Sequence, residues 1–421
     1  MWKDWLKRLV PALRQRSTVL RLHQLVDAAR SIPAALRMCF RDTDKSRAIN
    51  LLRRDKRVVF ISERPLRREA KFAYALKRAG WDVVLLQRYA PNVNDFSDFC
   101  DVQTFSSPWE AVELAHRTKA RVFHSFSASY DNTSVCLVEN KPGRVIVDLY
   151  DYFYGISDGL PAMRERHALD IAKQSFCIEN ADAVCSPDMQ LQYRRRETNI
   201  ARDKLILHFP NYCWDRDPLP EPRRDDEIHV VQIGWMGFET KGEEDTGCFR
   251  VAREFVNAGC QFHIYLHPEF PKLDTPMFKA LFADYLNLAS DTGRVHFHAT
   301  VPTRRLIAEL TSYDFGFAMI NGSTYKIPWR HHNPNWFPFV GSSRLFDYID
   351  AGLGILIDEG LTYMRRTFRP LALNGSELVR DRRIRETLSR KPSRAQVLSV
   401  RNSLSIRNQI YRLTKFYENV A

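Results

Sequence analysis

Short apolar runs alternate with amphipathic stretches along the chain from residue 57 onward. The run Val58–Ile61 is followed by apolar residues at helical spacing over about 67–79, and a second apolar run occupies 81–86. Short apolar runs are typical of strands buried on both faces, whereas apolar residues three and four apart predict helices. A strand, a helix and a strand in this order predict a parallel pair joined by a right-handed crossover.

This alternation occurs in two series. Further strands are predicted at 120–126, 144–148, 181–186 and 205–209 in the first series, and at 228–234, 261–266, 294–298, 314–319 and 353–357 in the second. Between the two series, 215–227 contains three prolines and many charged residues without an apolar period, which is typical of a linker. We therefore predict an α/β fold with two Rossmann-like parallel-sheet domains.

The predicted domain boundaries follow from this pattern. They are a basic helical extension at 1–56, an N-terminal Rossmann-like domain at 57–214, the linker at 215–227, a C-terminal Rossmann-like domain at 228–373, and C-terminal helices at 374–421. The last helix is expected to pack back on the N-terminal domain. Ligands of parallel sheets bind beyond the carboxyl ends of the strands, so the expected site is the cleft between the domains.

The positive charge of the chain is concentrated at its beginning. The net charge is +13, and residues 1–57 contain 15 Lys/Arg and 5 Asp/Glu, which gives them +10. Trp2, Trp5 and Leu6 can share one helical face, which leaves two interpretations: residues 1–50 bind an anionic membrane surface, or the helix packs on the protein. The remaining residues are near charge balance, which argues against a broad nucleic-acid groove.

Several absences in the sequence bear on its location. No stretch approaches the roughly 20 apolar residues of a membrane-spanning helix, and charged residues interrupt the first 30 positions, unlike a signal peptide. The eight cysteines form no C-x-x-C pair or zinc spacing, so reduced thiols are expected. We predict a cytoplasmic protein, with peripheral attachment to the inner face of the membrane as the alternative.

The stretch 341–357 is predicted to be a loop, a short helix, a glycine stop and a buried strand. Ser342 or Ser343 can cap the helix, and Gly352 stands where a left-handed C-cap residue is expected. A helix N-terminus beside the end of a strand suits a phosphate group. Asp347, one turn into the helix, is placed to reach a ribose hydroxyl or, alternatively, is a solvated surface carboxylate. The stretch thus predicts the nucleotide end of a sugar-nucleotide site.

Polar residues near the ends of two N-terminal strands are further candidates. His124 is expected at the end of one strand, where it contacts a sugar or acceptor or else packs in the core. Asp148 and Asp151 follow the neighbouring strand, where they serve as acceptor-binding or basic groups or else cap a loop.

The loop 325–337 combines aromatic residues with cations, among them Arg330 and Trp336. Such a loop favours base stacking or contact with a donor sugar, with a structural loop as the alternative. Its adjacent histidines, His331 and His332, have no carboxylate at a fixed spacing and make a poor ligand set, so no metal site is predicted.

Five segments in this order resemble a known family of enzymes. They are Ala181-Asp182-Ala183-Val184-Cys185-Ser186, Pro210-Asn211, Val230 to Gly234, Val295 to Leu310, and Ser343-Arg344-Leu345-Phe346-Asp347-Tyr348 to Gly352. Together they resemble GT-B glycosyltransferases of the GT4 type (glycosyl transferases group 1), over about 58–370.

The resemblance implies roles for individual residues. In the family's pattern Asp347 binds the nucleotide ribose, Ser342 and Ser343 face phosphate, Gly234 opens a loop that approaches the donor, and His124, Lys241 and Arg344 take the catalytic positions. Arg344 and Lys241 would neutralise the departing diphosphate. Positive side chains and helix N-termini would replace a metal ion, so no cofactor is expected.

The implied activity is that of a hexosyltransferase. It would move a sugar from a nucleotide-diphosphate sugar to a glycan, lipid-linked or protein acceptor, with retention of configuration. Two alternatives remain. One is a catalytically silent GT-B module that binds a nucleotide sugar or a partner protein, because Trp235 stands where the family has arginine and Lys241 is displaced. The other is a GT-B sugar-nucleotide epimerase.

Overall fold

The computed structural model describes most of the chain from residue 56 onward. The described ranges are 56–89, 96–127, 132–150, 152–153, 164–165, 167–191, 204–222, 225–234, 248–267, 270–318, 337–357, 360–369, 371–374, 384–389 and 391–421. They divide into two compact units. The first holds the described residues up to Phe209 together with Ile410–Ala421, and the second holds those within Pro210–Gln409. The predicted extension therefore lies almost entirely outside the described residues.

The first unit is a seven-stranded sheet in the order β3-β2-β1-β4-β5-β6-β7, with every pairing parallel. Its strands are β1 Arg57–Ser62, β2 Asp82–Gln87, β3 Asp101–Thr104, β4 Val122–Ser127, β5 Arg144–Leu149, β6 Ala183–Ser186 and β7 Leu205–His208. Its helices are α1 Arg67–Arg78, α2 Pro108–Arg117, α3 Thr133–Glu139 and α4 Ala168–Asn180. Buried side chains such as Val59, Val84 and Val147 form its core.

The second unit is a six-stranded sheet in the order β10-β9-β8-β11-β12-β13, again with every pairing parallel. Its strands are β8 His229–Gly234, β9 Gln261–Leu266, β10 Val295–His298, β11 Phe315–Ala318, β12 Gly354–Ile357 and β13 Ala372–Asn374. Its helices are α5 Cys248–Asn257, α6 Pro276–Leu281, α7 Ala283–Thr292, α8 Thr303–Leu310, α9 Ser343–Asp350, α10 Thr362–Thr367, α11 Ile384–Leu388 and α12 Arg394–Ser403. The predicted fold class, two parallel α/β sheets, is confirmed.

The last helix, α13 Ile406–Val420, belongs to the first unit from Ile410 onward. There the buried Tyr417 packs edge-on against Trp81, with 5.5 Å between ring centroids. Among the described residues, no helix combines the length and the apolar composition that crossing a membrane requires.

The segment 214–222 has no regular secondary structure, as its prolines predict, but polar contacts hold it against the second unit. The Asp350 carboxylate accepts hydrogen bonds from the backbone N–H groups of Trp214 and Asp215 at 2.8 and 2.9 Å. Arg401 donates to the same carboxylate at 2.9 Å. The units divide at Phe209, before the segment predicted as the linker, because Asp350 binds the following backbone.

Helix α9 and strand β12 adopt the arrangement predicted for 341–357. Gly352 has φ 83°, and its N–H donates to Ile349 O while the next N–H, of Leu353, donates to Tyr348 O. This pair of bonds is the Schellman motif, which ends a helix at a residue with positive φ. The chain then turns directly into β12, so α9 and β12 are fixed to each other.

Candidate functional site

The predicted donor residues Gly234 and Arg344 lie side by side in the second unit. Gly234 ends β8 with φ 85°, a conformation that glycine adopts without steric cost. A Cβ atom at Gly234 would lie 3.9 Å from Nη2 of Arg344, which is half-buried in the first turn of α9. The backbone at the carboxyl end of β8 therefore passes close to a guanidinium group.

The N-terminus of α9 begins at this same place. Ser342 is the N-cap residue, but its hydroxyl accepts no hydrogen bond from the first turn. The predicted cap by Ser342 is therefore not formed, and this serine is buried. Ser343, the first helical residue, is half-buried. The helix dipole places partial positive charge at this end, next to the Arg344 side chain.

Tyr348 fixes the position of α9 against the sheet. Its hydroxyl accepts a hydrogen bond from Ile233 N at 3.1 Å and donates one to Phe317 O at 2.9 Å. Its ring lies directly on Gly316, where a Cβ atom would stand only 2.0 Å from the ring. These contacts tie α9 to the ends of β8 and β11.

Sequence reasoning missed Tyr348 and Gly316. A glycine inside a buried strand is a signal of close approach by another group, and Gly316 interrupts the run Phe315–Ala318. The helical tyrosine that approaches it lies 32 positions later, and apolar periodicity alone does not identify such a partner.

Asp347 lies three positions after Arg344, so their side chains project from the same side of α9. It is only 1% exposed, and its neighbours Leu345, Phe346 and Tyr348 are buried as well. This burial excludes the alternative of a solvated surface carboxylate. Burying a carboxylate is costly unless polar groups compensate it, so a specific polar role is favoured. Ribose binding by Asp347 stays a prediction.

The remaining predicted site residues are distributed differently. Lys241, Arg330, Trp336 and Asp151 lie outside the described residues. His124 and Asp148 belong to the first unit.

His124 and Asp148 form part of a buried ion-pair cluster. Arg68 donates two hydrogen bonds to Asp148 Oδ2, from Nε at 2.9 Å and Nη2 at 2.8 Å, and a third from Nη1 to Phe209 O at 2.8 Å. His124 Nε2 lies 3.3 Å from the same carboxylate oxygen, and its Nδ1 is 2.7 Å from the Tyr417 hydroxyl. The cluster joins strands β4 and β5, helix α1 and the C-terminal helix α13.

The electrostatics of the cluster suit a structural ion pair. Burial by itself would raise the pKa of Asp148, but the positive charge of Arg68 and the contact with His124 outweigh burial and lower that pKa to about 2. Burial lowers the pKa of His124. Asp148 is thus a permanent carboxylate with a permanent counterion, which does not suit a general base near neutral pH.

The structure does not support the predicted catalytic role of His124 or the acceptor role of Asp148. His124 has no exposed surface, and its ring stacks on Phe126 with 4.5 Å between centroids. It is the third of the six residues of β4 rather than a strand-end residue, so the alternative of a packed core histidine is correct.

One further grouping of potential metal ligands involves this cluster. His124, Asp148 and Cys185 present ligand atoms within 4.8 Å of one another, the one such group among the described residues. Arg68 Nη2 lies 2.8 Å from Asp148 and 3.5 Å from Cys185 Sγ. A guanidinium in that position occupies the space and carries the charge that a metal ion would need, so the group does not fit a cation.

Comparisons with known proteins identify the fold. No family model and no curated protein sequence matches the chain. Among solved structures, a glycosyltransferase from Rickettsia africae is similar at 11% identity over 87% of this chain and 99% of its own, with a TM-score of 0.54.

Two other structures are similar to the same extent. A mutant of the O-GlcNAc transferase from Thermobaculum terrenum matches at 12% identity over 87% of this chain and 68% of its own, with a TM-score of 0.53. Sucrose-phosphate synthase from Thermosynechococcus elongatus matches at 12% identity over 87% and 99%, also with a TM-score of 0.53. The chain therefore has the GT-B fold of glycosyltransferases.

Proposed function

We propose that this protein is a glycosyltransferase whose second unit binds a nucleotide-diphosphate sugar at the N-terminus of α9. The observation that carries the proposal is the juxtaposition of Gly234, Arg344 and the first turn of α9 at the carboxyl end of β8. Parallel α/β sheets bind ligands at this edge, and helix N-termini bind phosphate groups.

In this proposal the second unit stabilises the leaving group. Cleavage of the bond between sugar and diphosphate leaves negative charge on the diphosphate oxygens. The backbone N–H groups of the first turn of α9 and the Arg344 guanidinium would donate hydrogen bonds to those oxygens, most strongly as the charge develops. Lys241 would supply a second cation. No metal ion is needed for this charge stabilisation.

The nucleoside would lie further along the same helix. The Asp347 carboxylate would accept hydrogen bonds from ribose hydroxyls, and the aromatic residues of 325–337, with Arg330 and Trp336, would contact the base or the donor sugar. The reaction is proposed to be retaining hexosyl transfer to a glycan, lipid-linked or protein acceptor. His124 and Asp148 would stabilise the first unit and would not touch the substrates.

A panel of nucleotides and nucleotide sugars, screened by thermal shift, tests the proposal. A ligand at 100 times its Kd should add about 2.7 kcal/mol to the free energy of unfolding. The substitution Asp347→Ala should abolish the gain. Arg385→Ala is the matched control, because Arg385 lies beside Gly259 before β9, at the other edge of the same sheet.

Release of free sugar or transfer to an added acceptor then separates the enzyme from the silent binding module. A donor that binds but is neither hydrolysed nor transferred would favour the module, for which the irregular sequence at 234–242 is the supporting observation. If no UDP- or GDP-sugar stabilised the protein, the proposal would be contradicted.

A further inference from the structure

A second group of polar side chains lies on the β8, β9 and β10 part of the second sheet. It lines a pocket of about 550 Å³ with four histidines and two tyrosines, namely His229, His263, His296, His298, Tyr265 and Tyr313. His229 is the first residue of β8, at the opposite end of that strand from Gly234. The described residues that line the pocket include neither Gly234 nor Arg344, so the pocket is separate from the proposed donor site.

Three of these histidines, one from each neighbouring strand, form a continuous chain of contacts. His229 Nδ1 is 2.9 Å from His263 Nε2, and His263 Nδ1 is 3.0 Å from His298 Nε2. At one end, His229 Nε2 lies 3.2 Å from both carboxylate oxygens of Asp225. His229 and His263 are buried, so water cannot readily replace these contacts.

Counting protons fixes the direction of the hydrogen bonds. Each contact between two ring nitrogens holds one proton, and three neutral imidazoles carry three. A carboxylate at Asp225 only accepts, so His229 must present Nε2–H to it. His263 then donates from Nε2 to His229 Nδ1, and His298 donates from Nε2 to His263 Nδ1. The remaining nitrogen of the chain, His298 Nδ1, carries no proton in this state.

A second hydrogen-bond series adjoins the other end of the chain. The Tyr265 hydroxyl donates to Glu309 Oε2 at 3.0 Å and is 3.0 Å from the Tyr313 hydroxyl. Tyr313 must therefore donate to Tyr265, which leaves the Tyr313 oxygen as an acceptor 3.5 Å from His298 Nε2. The hydrogen-bond direction that Asp225 sets puts a proton on His298 Nε2, which is compatible with an acceptor at the Tyr313 oxygen.

Among the described residues, the charged groups around the chain include Asp225 and three ion pairs: Glu227 with Arg294, Glu309 with Arg305, and Asp314 with Lys391. His229 N donates to Asp314 Oδ2 at 2.9 Å, and His296 Nε2 is 2.7 Å from Gln261 Oε1. Asp225 is thus the carboxylate that faces a chain nitrogen directly.

We propose that the chain Asp225–His229–His263–His298 is a binding site for one proton. The proton enters at His298 Nδ1. The Nε2 proton of His298 passes to His263 Nδ1, and the Nε2 proton of His263 passes to His229 Nδ1. The result is an imidazolium at His229 against the Asp225 carboxylate, with both ring–ring hydrogen bonds kept in reversed direction.

A second proton is not accommodated in the same way. The three protons of the neutral chain and the first one taken up make four, which fill the two outer nitrogens and the two ring–ring contacts. The second proton taken up is the fifth, and it would place two N–H groups against each other in one contact and break that hydrogen bond. The site therefore responds to acid in two stages, the first leaving the chain intact and the second opening it.

His298, where the proton enters, has a pKa below the ordinary histidine value. Burial lowers the pKa of His298, with the neighbouring His296 acting in the same direction and Glu309 against it. His298 therefore contributes stability that is complete above the ordinary histidine pKa of about 6.5 and is lost as the pH falls toward the folded value.

Long-range ¹⁵N–¹H spectra of histidine-labelled full-length protein, recorded from pH 8 to pH 5, test the proposal. At pH 8 the three imidazoles should each show a single Nε2–H tautomer, and the first proton taken up should appear as an imidazolium signal at His229. Mixed tautomers at pH 8, or independent titration of the three rings, would overturn the proposal.

Two substitutions and a control sharpen this test. Asp225→Ala, at a partly exposed side chain that folding should tolerate, removes the acceptor and should produce mixed tautomers at pH 8. His263→Phe removes both ring–ring contacts, so the tautomer of His298 should no longer depend on that of His229. His116→Gln, at an exposed histidine of α2 in the first unit, should change neither. Imidazole signals that change on treatment with a chelator would instead show a metal in the ring–ring contacts and would also overturn the proposal.

Discussion

Each unit holds an arginine at the carboxyl edge of its sheet, and the two arginines differ in burial and in the groups beside them. Arg68 is buried, and three of its hydrogen bonds go to Asp148 and to the backbone. Arg344 is half-buried, and it lies beside a glycine and the N-terminus of α9. A buried guanidinium that binds a carboxylate holds its unit together, whereas the guanidinium beside a glycine and a helix end is the one that the proposed function assigns to an anion.

The two arginines show which strand-end charges are candidates for binding a ligand. The sequence made Asp148 a candidate site residue, but its carboxylate forms an ion pair with Arg68. At the second edge, Gly234 has no side chain beside the Arg344 guanidinium, and Gly316 lets the Tyr348 ring lie directly on its strand, which holds the helix close to the sheet. The proposed function therefore places the ligand beside Gly234 and Arg344 and not beside Arg68.

The largest expected effect is at the first edge. Asp148→Asn removes the counterion and leaves a buried guanidinium, which should lower the free energy of unfolding by about 3–5 kcal/mol in denaturant titrations. The double substitution Arg68→Met with Asp148→Leu removes both charges and should recover most of that loss. Equal stability of the single variant and the wild type would mean that the pair does not hold this unit together.

The next effect concerns the tyrosine that positions α9. Tyr348→Phe removes the partner of the Ile233 N–H and of the Phe317 carbonyl, which should cost about 1–3 kcal/mol in the free energy of unfolding. Because α9 is then less firmly held, donor affinity should fall as well.

Tyr285→Phe is the matched control, because Tyr285 is a buried tyrosine of α7 in the core of the same unit. A Tyr348→Phe variant that lost stability without any loss of donor affinity would show that Tyr348 does not position the donor site.

The pattern of the sequence predicted the strands and the order of elements because strand burial and helix spacing are local properties. The resemblance to GT-B glycosyltransferases, and not the periodicity, assigned Gly234 and Arg344 to one site. The pattern did not predict the pairing of Arg68 with Asp148, 80 positions apart, or of His124 with Tyr417, 293 positions apart. Periodicity identifies the buried face of an element, but the partner on that face depends on tertiary packing.

The position of His124 shows how a small error in strand bounds changes a functional hypothesis. The apolar run at 120–126 placed this histidine near a strand end, whereas β4 runs from Val122 to Ser127. The histidine chain of the second unit was missed for a different reason. Its members lie 34 or 35 positions apart and meet only because β8, β9 and β10 are neighbours in the sheet.

The most direct test of the central claim is the Kd of Arg344→Ala for a nucleotide-diphosphate sugar, measured by calorimetry beside wild type and the Arg385→Ala control. Loss of a charged hydrogen bond to diphosphate, worth about 1.5–3 kcal/mol, should weaken binding by about 10- to 150-fold at a temperature where every variant is folded. The control should bind as wild type does. Unchanged affinity in Arg344→Ala would contradict the placement of the donor at the N-terminus of α9.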